Sequence, residues 1–417
     1  MRVSQLFTKT SKTVPADETA KNAQLLIQAG LINKEMAGVY TYLPLGKRIL
    51  DNIVQVIREE MDAVGGNEIS LTALQNSAPW EKSGRWSDEA MDVWFRTKLA
   101  GGTELGLAPT HEEPLTQLMT RFISSYKDLP AYPYQFQVKF RNELRSKSGL
   151  MRGREFLMKD LYSFSRDQAE HDEFYERIST AYHRVFERLG IGSITYKTFA
   201  SGGSFSKYSH EYQTLSEVGE DIIYVHEGKG LAINKEVYTD EVLQDLGVSR
   251  DELVEKKAVE VGNIFTLGTR FSEPLELTFT DEDGTVKPVV MGSYGIGPSR
   301  LMGLLAEHFA DDRGLVWPEA VAPAKVYLAR LGATPEVVVA ADELYKDLTS
   351  KSITVLYDDR EDARPGEKFA DADLIGLPYR VVISDKTLAN NTYEVKARTS
   401  DTAEHLSRQE LMHRLGA

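Results

Sequence analysis

The chain has 417 residues, no cysteine, and 49 basic against 63 acidic side chains, a formal net charge of −14. At roughly 150 residues per domain this suits two or three domains with real cores, and the missing thiols exclude disulfides, thiolate zinc sites and cysteine nucleophiles. The acidic balance argues against DNA and anionic membranes as partners. The N-terminus Met1-Arg2-Val3-Ser4-Gln5-Leu6-Phe7 lacks a signal-peptide core, and no apolar run nears the ~18 residues that cross a bilayer, so a cytoplasmic protein is expected.

In chain order, residues 17–29 suit a short helix. Ile49, Leu50, Ile53, Val54, Ile57, Met61 and Val64 fall at helical spacing until Gly65-Gly66 stops the run. Residues 68–74 are strand-like, and 76–94, with Trp80, Trp86 and Trp94, look irregular. Residues 135–141 and 154–159 read as antiparallel strands joined by a long basic loop. A helix over 166–189 carries Phe174, Ile178, Ala181, Tyr182, Val185 and Leu189 on one stripe. Residues 228–258 are polar and resemble a short insertion. Apolar segments at 261–267, 275–280 and 289–296 follow, and Pro298 suits the first turn of a helix. After a Pro-bearing linker at 316–323, strands at 325–331, 353–357 and 379–383 alternate with helices at 335–351 and 366–374. That alternation predicts a separate mixed α/β domain with partly parallel strands.

Four stretches can carry chemistry. Residues 139–159 hold seven cationic side chains (Lys139, Arg141, Arg145, Lys147, Arg152, Arg154 and Lys159) against Glu143 and Glu155. They are either a solvated face or strand-borne arginines converging on phosphate. Gly292-Ser293-Tyr294-Gly295-Ile296-Gly297 with Arg300 is either a tight strand-to-helix turn or a close approach of backbone to a ligand; its spacing is neither a P-loop nor a dinucleotide fingerprint. Thr110-His111-Glu112-Glu113 can hold an amino group or cap a helix. The small polar loop from Gly202 to Glu211 can close over a ligand or be plain surface.

In this order and spacing the pieces resemble class II aminoacyl-tRNA synthetases, most closely the bacterial-type prolyl-tRNA synthetases. Phe140-Arg141-Asn142-Glu143 with Arg152 and Phe156 is similar to motif 2, Gly295-Ile296-Gly297 with Arg300 to motif 3, and the region from Gly38 to Gly46 to motif 1. Pro109-Thr110-His111-Glu112-Glu113 resembles the family's amino-acid loop. Asp358-Asp359-Arg360, Arg364-Pro365-Gly366 and Phe369-Ala370-Asp371 resemble its anticodon-binding domain.

The resemblance implies an α/β fold: an antiparallel sheet flanked by helices over 1–320, with 228–258 as a stub in place of an editing insertion, then a smaller mixed α/β anticodon-binding domain over 323–417. It implies activation of L-proline by ATP to prolyl-adenylate, then transfer to tRNA(Pro), by a homodimer using Mg2+. By resemblance Arg141 holds the α-phosphate and proline carboxylate, and Glu143 and Phe156 take adenine. Arg152 and Arg300 hold the outer phosphates, and Gln213 serves the ribose. Thr110, Glu112 and His210 serve proline, and Glu211 is the candidate for magnesium. Asp359, Arg360, Arg364 and Lys368 are the anticodon candidates, Arg364 and Lys368 being equally readable as solvated charges.

Three departures stand out. The short insertion implies that alanyl-tRNA(Pro), once made, is not cleared in cis. Thr72 replaces a motif 1 proline, which bears on the dimer contact. Residues 204–209 are longer than the family's loop before His-Glu. Two alternatives stay open: a non-catalytic paralogue, which typically loses the arginines kept here, and a synthetase for threonine, histidine or glycine.

Overall fold

The computed structural model describes residues 1–146, 148–202 and 208–416. They form two compact units, one from residues 1–53, 148–150 and 302–416, the other from Val54–Ser146 and Met151–Leu301. The expected spans 1–320 and 323–417 are linear in sequence, whereas the compact units place the first 53 residues with the C-terminal ones.

The larger unit is built on a mixed sheet. Among the described residues its strands run in the order 208–215, 195–201, 231–234, 221–226, 254–268, 290–296, 155–165, 133–140 and 67–68. Neighbours are antiparallel except that 231–234 runs parallel to 195–201 and 67–68 parallel to 133–140. The 15-residue strand Val254–Gly268 serves three partners, Asp221–His226 with its first part, Tyr208–Leu215 with its middle and Val290–Ile296 with its end. Because Tyr208–Leu215 also pairs with Thr195–Ser201, the pairing closes a ring of five strands.

The Gln168–Arg188 helix lies on this sheet, with Phe174, Ile178, Ala181, Tyr182 and Val185 fully buried, as its periodicity predicts. Asp167 starts it by accepting from the Glu170 N–H, and Gly190 at φ 81° ends it. Gly292 is required by packing: a Cβ there would meet the Tyr294 hydroxyl at 2.3 Å.

The segment 228–258 is more ordered than a stub. Leu231–Asn234 is a ring strand, Asp240–Leu246 is a helix, and Ile233, Val237, Val242, Leu243 and Val248 form their own small core with Phe199 packed against it. Apolar residues at irregular spacing among acids and lysines concealed it. Residues 68–74 and 76–94 also differ from expectation. Only Asn67–Glu68 joins the main sheet, Leu74–Asn76 pairs with Glu104–Leu107, and Ser77–Lys82 is a helix that buries Trp80. Thr72 lies between those strands, its hydroxyl on the Leu74 carbonyl.

In the other unit, strands Val355–Asp358, Val326–Leu331 and Tyr379–Ser384 are parallel, and Tyr393–Ala397 and Glu404–Leu406 extend the sheet antiparallel. Helices Pro335–Ser350 and Pro365–Ile375 each begin with proline, whose missing N–H costs nothing in a first turn.

Candidate active site

Strand Pro133–Phe140 delivers Arg141, whose N–H donates to the Arg154 carbonyl at 2.8 Å. The Arg141 Nε donates to the Pro109 carbonyl at 3.3 Å, and its guanidinium stands 5.4 Å from the centre of the Phe156 ring. Burial and the nearby Arg300 charge push the Arg141 pKa down, while Glu260, Glu143 and Glu112 oppose them. Two guanidiniums that repel each other, one of them over the Phe156 ring, form a site that an anion relieves.

Arg300 sits in the first turn of the Pro298–His308 helix. Its Nε donates to the Met151 carbonyl at 2.9 Å and its Nη1 lies 3.2 Å from Glu260 Oε2. Arg152 bridges Glu143 at 3.1 Å and Glu220 at 2.9 Å. With the Arg152 side chain 45% exposed, these pairs are worth at most about 1 kcal/mol, so a phosphate can exchange for them at little cost.

The Thr110 turn is not a helix cap. The Glu112–Met119 helix has His111 at its N-cap position without a side-chain cap bond, and the Thr110 hydroxyl donates to Glu112 Oε2 at 2.6 Å. Both acids are buried. Arg85 Nη1 lies 3.0 Å from Glu113 and 3.5 Å from Glu112, and Ser83 donates to Glu113 at 2.8 Å. Burial, with Glu112 beside it and Arg85 opposing, pushes the Glu113 carboxyl up to about 7.

Beneath the turn lies a buried network. His111 Nε2 meets the Thr72 carbonyl at 3.1 Å, and its Nδ1 is 2.5 Å from Lys139 Nζ. Lys139 donates to Asp160 Oδ2 at 2.9 Å, which also accepts from Gln135 and Tyr162 at 3.0 Å each. Burial and the Lys139 charge hold the His111 pKa down to about 4, so the ring is neutral, accepting from Lys139 and donating to Thr72. Lys139 and Asp160 thus fix the turn from behind. Sequence reasoning did not give them this role, although Gln135, Gln137 and Lys139 alternate as polar residues along an otherwise apolar strand.

A second acidic group lies on the ring. Glu211 Oε2 accepts from Gln213 at 3.0 Å and from Asn234 at 3.1 Å. Gln213 also donates to Asp221 at 3.0 Å, while its own Oε1 is buried without a hydrogen-bond partner among the described residues. Burial and the Glu260 charge push Glu211 up to about 8. Glu260 Oε1 accepts from Asn263 at 2.9 Å. His210 shares its Nδ1 with the Tyr175 hydroxyl at 2.8 Å, and burial lowers its pKa to about 4. Of the loop before it, residues 203–207 lie outside the described residues.

The anticodon candidates lie in the other unit. The Asp359 carboxylate accepts from Arg2 and Ser4, and Arg360 bridges Asp358 and Asp371. Lys368 is buried and its ammonium donates to the carbonyls of Arg330, Asp358 and Arg360 at 2.8, 3.3 and 2.6 Å, so its three N–H groups are spent on the strand and turn around it. Arg364 is exposed at the N-cap of the Pro365–Ile375 helix.

A largely antiparallel sheet carrying Phe156, with Arg141 and Glu143 just beyond one of its strands and Arg300 in the helix that follows another, defines a class II synthetase core. The model of the tRNA synthetase class II core domain (G, H, P, S and T) matches residues 95–309, and that of an anticodon binding domain matches 325–417. The proline–tRNA ligase of Maricaulis maris is 37% identical over all of this chain and 98% of its own length. That of Anaplasma marginale is 38% identical over the full length of both. A prolyl-tRNA synthetase structure from Cryptosporidium parvum, complexed with halofuginone and AMPPNP, matches with a TM-score of 0.78 at 18% identity, covering 95% of this chain and 76% of that one. The chain belongs to the proline–tRNA ligase family.

Proposed function

We propose that the chain activates L-proline with ATP and transfers the prolyl group to tRNA(Pro). The observation that carries this reading is the half-buried Thr110 paired to the buried Glu112 next to Arg141, with Phe156 under the guanidinium. An acid that burial leaves only partly compensated suits the cationic imino group of proline, and the arginines suit its carboxylate and the phosphates.

Glu112 and Thr110 take the imino nitrogen, with His210 closing the proline site in neutral form. Arg141 draws the carboxylate and the α-phosphate together. A carboxylate oxygen attacks the α-phosphorus, the bond to the β-phosphate oxygen breaks, and pyrophosphate leaves. No protein nucleophile is needed; positioning and fixed positive charge do the work. Phe156 stacks on adenine and Glu143 accepts from its amino group. Arg152 and Arg300 hold the outer phosphates, and the unpartnered Gln213 oxygen offers an acceptor to the ribose. In the second step a ribose hydroxyl of the terminal tRNA adenosine attacks the prolyl carbonyl, and AMP leaves.

Magnesium fits the same site. Glu211 and Glu260 repel each other, and one or two carboxylates with substrate phosphates and water are its usual shell. The ion would offset phosphate charge there. Residues 325–417 read the anticodon, the enzyme works as a homodimer, and its place is the cytoplasm; no helix among the described residues is long and apolar enough to cross a membrane.

Amino-acid-dependent ATP–pyrophosphate exchange with proline, alanine, threonine, histidine and glycine tests this. Exchange should be strongest with proline. Silence with all five sinks the reading.

A further inference from the structure

Residues 1–13 carry Arg2, Lys9 and Lys12 and no acid, in a chain of net charge −14. This basic arm is fastened to the Asp358–Arg364 turn. Arg2 forms a parallel bridge with Tyr357 on the outer strand of the C-terminal sheet, and the Tyr357 N–H donates to the Met1 carbonyl at 2.8 Å. The Arg2 guanidinium reaches Asp342 at 2.9 Å and Asp359 at 3.2 Å and lies 4.7 Å from the Tyr357 ring centre. Ser4 donates to both Asp359 oxygens, by its N–H at 3.1 Å and its hydroxyl at 2.8 Å. Further on, Thr10 donates to Asp371 at 2.6 Å, and the Ser11 N–H to the Gln28 carbonyl at 2.7 Å.

The anchors are therefore at 2, 4, 10 and 11. Between them Phe7 is 78% exposed, Lys9 is exposed, and neither side chain has an ionic or ring partner among the described residues. Phe7 is flanked by Leu6 and Thr8, which with Lys9, Arg330, Arg360 and Asp362 line a cavity of about 780 Å³ between arm and turn. Arg330, 5% exposed, donates from Nη2 to the Asp359 carbonyl at 2.8 Å, and its buried Nε has no hydrogen-bond partner among the described residues.

A lone exposed phenylalanine or a lone lysine needs no explanation. Here both sit on a strap pinned at each end, beside a cavity whose lining mixes the guanidiniums of Arg330 and Arg360 with carboxylates such as Asp359 and Glu361, on the domain that reads single-stranded RNA. An aromatic face takes an unstacked base, a lysine takes the phosphate next to it, and guanidinium N–H groups meet base edges.

We propose that the N-terminal arm is one wall of the tRNA-reading surface. Phe7 stacks on an unpaired anticodon-loop base and Lys9 contacts the adjoining phosphate, while Arg2, Ser4 and Thr10 hold the arm against the turn. This rests on the reading of residues 325–417 as the anticodon reader and extends it to a segment distant in sequence.

The test compares the full chain with its Phe7→Ala/Lys9→Ala variant, whose changed side chains are exposed and make no packing contact that folding requires. Two reactions are followed: tRNA(Pro) charging over a salt series and proline-dependent pyrophosphate exchange. The KM for tRNA(Pro) should rise about tenfold, the size of one lost stacking contact. The logarithmic salt dependence should flatten by about 0.7, for one lost single-strand phosphate contact. Exchange should stay within about twofold of the unaltered chain. An unchanged KM and salt slope overturns the inference alone, and so does a matching loss of exchange, which marks a structural defect. Failure of the unaltered chain to charge tRNA(Pro) while exchanging pyrophosphate overturns both this and the anticodon reading.

Discussion

Replacing Lys139 by methionine removes one charge from a pair that has no access to water. Lys139 and Asp160 are both buried and lie 2.9 Å apart. Breaking such a pair costs about 3–5 kcal/mol, because the remaining charge is left in a medium that cannot solvate it. Asp160 keeps its donors from Gln135 and Tyr162, which sets the loss near the lower end, about 3 kcal/mol. At about 2–4 °C per kcal/mol for a domain of this size, Tm should fall by about 6–12 °C. The assay is thermal unfolding of Lys139→Met beside the double variant Lys139→Met/Asp160→Asn. An asparagine still accepts from both donors but carries no charge, so the double variant should regain at least half of the loss. A single variant that melts with the unaltered protein, or a double variant no better than the single, refutes the idea that uncompensated charge is what hurts.

The Glu113 carboxyl, raised from 4.5 to about 7, keeps its proton longer in the folded state than in the unfolded one. Stability should therefore fall as pH rises through that interval. Glu113→Gln should remove the slope and gain about 1–3 kcal/mol at pH 8; denaturation curves at pH 5 and pH 8 that stay as far apart as in the parent would contradict it. Arg152→Ala should leave stability within about 0.5 kcal/mol, since the side chain is exposed, yet raise the KM for ATP about tenfold in exchange assays; an unchanged KM removes Arg152 from the phosphate site. Alanine should support exchange at a rate about 10–200-fold below proline, because a pocket built for the larger side chain cannot strongly reject the smaller. Alanyl-tRNA(Pro) should then persist with the purified protein, and its hydrolysis by this chain would show an editing activity in cis.

Much of the architecture is legible where apolar residues recur at a regular period. The Gln168–Arg188 helix buries Phe174, Ile178, Ala181, Tyr182 and Val185 along one stripe, and Tyr134, Phe136, Val138 and Phe140 alternate along the Pro133–Phe140 strand; the Glu155–Ser165 strand, which buries Lys159, Asp160 and Ser163 among apolar residues, is legible only in its first half. The strands of the ring are harder. Thr195–Ser201 and Tyr208–Leu215 bury Thr198, Ser209, Gln213 and Thr214, so no alternation of apolar and polar marks them. The site divides likewise. Arg141, Glu143, Arg152 and Arg300 are conspicuous as charge beside strands and turns. Arg85, Glu260 and Asn234 are invisible until sheet register and helix packing bring them to Glu112, Arg300 and Glu211. Lys368 illustrates the opposite error: a lysine in a polar stretch reads as surface or as an anticodon contact, whereas the carbonyls of Arg330, Asp358 and Arg360 converge on it.

The ring closed by Leu231–Asn234 bears on how this segment can change over generations. That strand joins Thr195–Ser201 to Asp221–His226, so excising it would leave two unpaired edges, each a template for aggregation. The turns around it carry no such duty: Glu227–Lys229 and Arg250–Glu252 are exposed and contribute no buried residue. The segment is therefore free to grow outward at its turns and is barred from disappearing, which makes it a tolerated port for added domains rather than a dispensable remnant of one.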